Sequence, residues 1–196
     1  MTSLLDLPKT YRMTDYINLH ADKKRYRLLN ALSFLIGAVL LFLGWLWQSF
    51  GALSELLSKG FGAYYLWLGL LLVGILLALS LHQLVHGLFM RLFSCLPTHY
   101  GRKGLFLSYA ASDAFFCRGH YLMIALAPVV LIGIMLAVLT VLTHGMWFWL
   151  FYGLQILNIG SAVGDYALFI RALRAPKTAL FQDDGIGLAV YTEESE

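Results

Sequence analysis

Charge is what this chain has least of. Asp, Glu, Lys and Arg make up 13% of its 196 residues, about half of the roughly one quarter found in a soluble domain. With 60% hydrophobic residues set in long blocks and a mean hydropathy of +0.73, that scarcity excludes a water-soluble fold and points to a membrane protein. Cysteine is nearly absent. Cys95 and Cys117 are too few for a disulfide scaffold, and both flank basic loops placed below on the reducing side of the membrane, so they read as free thiols. A cleavable signal peptide is not expected either. The first 28 residues are polar and carry Lys9, Arg12, Lys23, Lys24, Arg25 and Arg27, with no short apolar core before a small-residue cleavage site. The net charge of +3 does not argue for nucleic acid, because the basic residues stand where membrane topology needs them.

The apolar blocks predict four membrane spans, at about Leu28–Phe50, Phe61–Phe93, Tyr121–Thr143 and Met146–Ile170. Each holds the ~20 apolar residues that a bilayer core requires. Tyr64, Tyr65, Trp67, Trp147 and Trp149 mark interfacial ends. All but Lys59 of the 14 Lys and Arg fall before the first span, in the connection from Arg91 to Arg118, or after Ile170. The positive-inside rule therefore puts both termini and the 94–120 loop in the cytoplasm of a bacterial-type plasma membrane, with the turns at Ser49–Gly60 and Thr143–Gly145 outside. Within the 94–120 loop, the run from Gly104 to Ala111 follows the polar turn His99-Tyr100-Gly101-Arg102-Lys103. It reads either as a strand or hairpin at the membrane surface or as an interfacial loop that only anchors to lipid. Residues 176–196 read as an acidic, solvated cytoplasmic tail with a short strand near Gly187–Thr192, distinct from a membrane domain over 1–175. No internal repeat is evident. The expected class is thus all-α and integral to the membrane, with four transmembrane helices and a short β-hairpin or strand in the cytoplasmic loop.

Two polar features interrupt the apolar blocks. Asp165 is the one formally charged residue between Arg118 and Arg171. An unpaired carboxylate in hydrocarbon costs about 3 kcal/mol or more, so it needs a partner. His82 and His86 lie four apart in the second span, on one helix face, where two imidazoles can grip one metal ion. Depth supports the pairing. Counted at 1.5 Å per residue, Trp67 to His82 is roughly 23 Å and Trp147 to Asp165 roughly 27 Å, both toward the cytoplasmic face. Gly160 and Gly164 just before Asp165 form a small-residue spacing that lets helices approach closely. His82, His86 and Asp165 are therefore the candidate metal ligands, with an open fourth position. A purely structural His–Asp hydrogen-bonded network is the alternative. Asn158, two turns before Asp165, is placed either to donate to a developing oxyanion or to bond a neighbouring helix. His20, His99, His120 and His144 lie at or beyond span ends and read as interfacial or solvated.

These residues carry a resemblance. His82-Gln83-Leu84-Val85-His86-Gly87 resembles the H-E-x-x-H-G element of membrane zincins. Asn158-Ile-Gly-Ser-Ala-Val-Gly-Asp165 resembles the second element of the small, membrane-embedded putative zincin peptidase family, and the run from Arg118 to Ala127-Pro128 resembles that family's third-span opening. The likeness covers most of residues 5–175. The site-2-protease group of intramembrane metalloproteases is a more distant likeness, lacking here its usual Asn-Pro-Asp-Gly-like stretch. The resemblance implies Zn2+ held by His82, His86 and Asp165, and cleavage of membrane-embedded or membrane-proximal peptides. It also puts Gln83 at the position of the general base. In such peptidases a Glu takes a proton from the attacking water and passes it to the leaving amine, and a Gln of nearly the same shape cannot. The Gln83 form is thus expected to bind metal and peptide but to be inactive, as an engineered silent variant or as a natural pseudoprotease.

The expected function is an intramembrane zinc metalloendopeptidase whose partners are a peptide or transmembrane-helix substrate and the lipid bilayer. The substrate would lie extended against Leu105, Phe106, Leu107, Ser108 and Tyr109, adding a strand to that edge. The alternative is a non-catalytic adaptor that holds partner transmembrane helices in the same pocket. A small transporter fits poorly, since four spans without an inverted repeat offer little pathway.

Overall fold

The computed structural model describes residues 4, 6–19, 21–48, 58, 60–103, 107–185 and 187–194. In chain order these form β1 (Tyr11–Ile17), α1 (Lys23–Trp47), α2 (Phe61–Ser94), β2 (His99–Lys103), β3 (Leu107–Ala111), β4 (Phe116–Cys117), α3 (Arg118–Leu142), α4 (Gly145–Ser161), α5 (Val163–Arg174), β5 (Leu180–Asp183) and β6 (Leu188–Glu193). The helix limits have local causes. α1 begins where the Asp22 carboxylate accepts the backbone N–H groups of Lys24 at 2.9 Å and Arg25 at 3.2 Å, satisfying donors that no earlier turn can. α2 ends where Cys95 turns left-handed, with φ 58, and its N–H closes on the Arg91 carbonyl at 2.8 Å. Pro97 then bars any continuation.

α1, α2 and α3 are long and apolar enough to cross a membrane, and they match the first three expected spans to within a few residues. The expected fourth span is divided at Ala162 into α4 and α5, so there are three candidate spans, or four if that pair acts as one. The hairpin expected in the 94–120 loop is present as β2 and β3, antiparallel from His99↔Ala111 to Lys103↔Leu107. A second, four-stranded antiparallel sheet of order β1-β6-β5-β4 was not expected. The class is therefore helical with small antiparallel sheets rather than all-α. The sheet is hard to read locally because its strands are short and its neighbours are remote, as in the pairing of Tyr11 with Glu193 and of Ile17 with Leu188.

By its contacts the chain divides into two compact units. The first comprises Met1–Leu29, His82–Pro128 and Gly164–Glu196; the second comprises Asn30–Leu81 and Val129–Val163. The first unit is built around buried Ile17, Met90, Phe116, Tyr121, Ile124, Ala172, Phe181, Leu188 and Val190. Tyr121 of α3 stacks on Phe181 of β5 with ring centroids 5.2 Å apart. Arg171 of α5 forks onto Asp15 of β1, with Nε at 3.1 Å and Nη2 at 2.6 Å from one carboxylate oxygen. The described residues after Pro176 are thus not a solvated appendage. The strand expected near 187–192 is β6, and Leu180, Phe181, Leu188, Ala189 and Val190 are buried. Of the acidic residues that suggested a solvated tail, Asp183 closes β5, Asp184 follows it in the turn, and Glu193 and Glu194 stand at the end of β6, while the intervening Leu-Ala-Val run packs inward.

In the second unit, Glu55 and Lys59 are the only formal charges in sequence. Ile132, Leu136 and Leu154 form its buried centre. Ser33 Oγ donates to the Gly160 carbonyl at 2.6 Å, and the Trp67 indole donates to the Met146 carbonyl at 3.0 Å. Gly160 therefore receives α1. Large apolar side chains on these helices face outward, with Phe34 81% and Leu142 72% exposed. That surface suits lipid rather than water.

Phe181→Ala should lower stability by about 3–5 kcal/mol, the cost of emptying a core aromatic site. Glu194→Ala, which removes one exposed ion pair with Arg12, should cost under about 1 kcal/mol. Denaturant unfolding of the detergent-solubilised chain checks both, and a detached tail would leave both silent.

Candidate metal centre

His82 and His86 project from one face of α2, with ring centroids 4.9 Å apart, and each is only 8% exposed. The third group arrives from α5. Because the helix stops at Ala162 and restarts at Val163, Asp165 falls in the first turn of a new helix. Its Oδ2 lies 3.1 Å from His82 Nε2 and its Oδ1 lies 3.5 Å from His86 Nε2. One nitrogen from each imidazole and one carboxylate oxygen all stand within 4.8 Å of one another. A tetrahedral ion with ligand bonds of roughly 2.1 Å needs donors about 3.4 Å apart. The donor spacing, the two imidazoles and the lone carboxylate fit zinc, with a fourth position left for a water or a substrate oxygen.

The orientation of His86 has a specific source. Its Nδ1 is 2.9 Å from the Ile124 carbonyl. A carbonyl only accepts, so Nδ1 carries the proton and Nε2 is left as the electron-pair donor. In an uninterrupted helix the Ile124 carbonyl would be taken by the N–H four residues on. That residue is Pro128, inside α3, and it has no N–H. The proline thus frees the carbonyl that fixes the tautomer of a metal ligand. Gly87 has an equally local reason. Thr98 Oγ1 donates to the Gly87 carbonyl at 2.9 Å, and the Tyr100 phenol lies where a side chain at 87 would be. Only glycine lets β2 rest on the helical turn that carries His86.

The other expected residues fall as follows. Gln83 is half-buried on α2, one residue past His82. Asn158 belongs to the second unit, where it is buried and its Nδ2 donates to the Val129 carbonyl at 3.1 Å, the neighbouring-helix bond that was one of its two readings. Leu107, Ser108 and Tyr109 lie in β3, opposite Lys103, Arg102 and Gly101. Leu105, Phe106 and His20 lie outside the described residues. His99 is 3.5 Å from Asp113, His120 stacks on Phe93 at 4.3 Å, and His144 is 3.3 Å from Gln48, so none of these is among the three clustered donors. Sequence reasoning missed the parts played by Pro128, Thr98 and Tyr100. The available signal was a proline four residues after Ile124 in an otherwise unbroken span.

His82→Ala or Asp165→Ala should abolish stoichiometric zinc in the purified protein, as read by elemental analysis. Pro128→Ala should weaken zinc binding about 10–100-fold, the usual cost of losing a partner behind a ligand. It should do so without loss of thermal stability, since alanine suits a helix interior better than proline by ~3 kcal/mol. Unchanged affinity in Pro128→Ala would refute the freed-carbonyl account.

A family model described as putative zincin peptidase matches residues 75–180. No curated protein matches the chain, and no solved structure does. The matched stretch is more than half of the chain and holds all three converging donors, His82, His86 and Asp165, and on it the chain belongs to the putative zincin peptidase family.

Proposed function

We propose that this protein is an intramembrane zinc metalloendopeptidase acting on membrane-embedded or membrane-proximal peptides. The observation that carries the reading is the convergence of His82 Nε2, His86 Nε2 and the Asp165 carboxylate at 3.1 and 3.5 Å, in a family of zincin peptidase type. These three residues would hold the ion. Zinc bound there would act as a Lewis acid toward the scissile carbonyl and make a water nucleophilic near neutral pH.

The chain's own groups divide the remaining work. The Ile124 carbonyl holds His86 in the ligating tautomer. The peptide lies extended against Leu105–Tyr109, adding a strand to the β2–β3 hairpin. Support for that placement comes from Thr98 and Tyr100, which tie β2 to the turn of α2 beside His86. Both termini lie in the cytoplasm, a reading supported by two facts. β1 and β6 are hydrogen-bonded neighbours in one sheet. All Lys and Arg except Lys59 belong to the first unit.

Residue 83 limits the rate. A Gln there leaves the three donors intact but removes the proton acceptor. The Gln83 chain binds zinc and peptide and turns peptide over 10²–10⁴-fold more slowly than a chain with glutamate at that position. The same residue favours a second reading, a non-catalytic adaptor that grips partner transmembrane helices in this pocket.

Gln83→Glu should raise cleavage of a membrane-segment peptide, or of the chain's own polypeptide, by about 10²–10⁴-fold with zinc content unchanged, since residue 83 is not a ligand. A fully zinc-loaded Gln83→Glu chain that cleaves nothing supports the adaptor instead. A cysteine placed at position 59 should react with an impermeant thiol reagent from outside the cell, and Cys95 should not; the reverse pattern would overturn the orientation.

A further inference from the structure

The helix that brings Asp165 to the histidines is short and begins afresh. α5 runs for 12 residues after the break at Ala162, and a helix of that length is marginal unless something packs against it. The N-terminal segment packs against it at two points. Arg171, in the last turn of α5, forks onto Asp15 of β1, with Nη2 2.6 Å and Nε 3.1 Å from Oδ2. At the other end, Leu19 Cδ1 lies 3.6 Å from where a side chain at Gly164 would begin. Gly164 and Arg171 are seven residues apart and so share one face of α5. Leu168, between them on that face, packs against the core of the first unit, and so does Leu19.

The two contacts agree in length. Asp15 to Leu19 is four residues, at most about 13 Å of extended chain. Gly164 to Arg171 is roughly 11 Å of helix. The segment therefore lies along α5 in the opposite sense, from the last turn back to the first. Asp165 is one residue, about 100°, round the helix from Gly164. Its carboxylate meets His82 and His86 at 3.1 and 3.5 Å. A short helix can turn about its own axis or slide along it, and either movement carries that carboxylate off the imidazoles. A contact at each end of one face opposes both.

We propose that the segment Asp15–Leu19 is a positioning element for the metal centre, a splint that fixes the setting of α5 and through it the place of the Asp165 carboxylate. This rests on zinc held by His82, His86 and Asp165, as read above, and not on peptide cleavage. Asp15 acts through Arg171, and Leu19 through Gly164. The effect is reciprocal, because a contact that strengthens zinc binding is itself strengthened by zinc. A bound ion therefore also holds β1 in place. The Arg12–Glu194 pair supplies the comparison. It too ties β1, at 2.7 Å, but to the residue after β6 rather than to α5.

The test measures the zinc affinity of the full chain in detergent, by competition with a chromophoric chelator, together with the melting temperature of the zinc-free form. Asp15→Ala and Arg171→Ala should each weaken zinc binding about 3–5-fold, the upper end of what a partly exposed ion pair delivers. The double variant should lose no more than either single one, since both remove the same contact. Those losses should shrink between about 0.05 and 0.5 M salt, because ions screen a pair of this exposure. Leu19→Ala should weaken zinc binding at least about 3-fold with no such salt dependence. Arg12→Ala should leave the affinity unchanged. In the parent chain zinc should slow hydrogen exchange at the β1 amides, and in Asp165→Ala it should not. A pair that only held the fold together would lower the melting temperature and leave the affinity of the folded chain alone. Unchanged affinity in both Asp15→Ala and Arg171→Ala therefore overturns the proposal. So does an equal loss in Arg12→Ala, the mark of a general loosening of the sheet. So does β1 exchange indifferent to zinc in the parent chain, a result that stands even where a variant fails to fold. Failure of the metal reading shows separately, as a parent chain that takes up no zinc.

Discussion

A carboxylate set among apolar helices must be met by donors or by a cation, and Asp165 imposes that requirement on the first unit. Its partners are two imidazoles on the next turns of one helix, 3.1 and 3.5 Å away. The surrounding features serve that meeting. The helix restarts after Ala162, so Asp165 stands in a first turn, where the amide ends favour a negative charge. Pro128 vacates the carbonyl that aims His86. Gly87 admits β2 against the same turn of α2. Each is a local exception to regular helix chemistry, and the exceptions gather where one ion would sit.

A membrane makes part of such a chain easy to read. Apolar runs must be long and charges must be rare, so α1, α2 and α3 could be placed from composition, and a lone Asp and a spaced His pair stood out against the background. The division of the fourth span was not legible, because Gly160-Ser-Ala-Val-Gly164 contains no proline and no charge, and its two glycines read equally well as close helix packing. The four-stranded sheet was not legible either. Thr14 and Val190, which meet across it, are 176 residues apart, and no local pattern reports a partner at that distance. Pro128 was visible, but its meaning depended on knowing which carbonyl it left open and which side chain claimed it.

The three clustered donors are independent of residue 83. They come from α2 and α5, and Gln83 is not among them. On the proposed reading, a glutamine at that position leaves the donor set as it stands and removes only a proton acceptor, so the peptidase and adaptor readings differ in that one side chain.

The pairing of β1 with β6 also sets an order of assembly. Helices form from contacts within a few residues, whereas contacts between remote segments must await closure of the whole intervening chain. β1 leaves the ribosome early and has no sheet partner until β6 follows. α1 and α2 can enter the bilayer well before then. Asp165, through α5 and the Arg171–Asp15 pair, is tied to that late-forming sheet. The donor cluster thus joins segments made early and late: His82 and His86 are synthesised well before Asp165, and the helix that carries Asp165 is held by a strand whose sheet partner comes last.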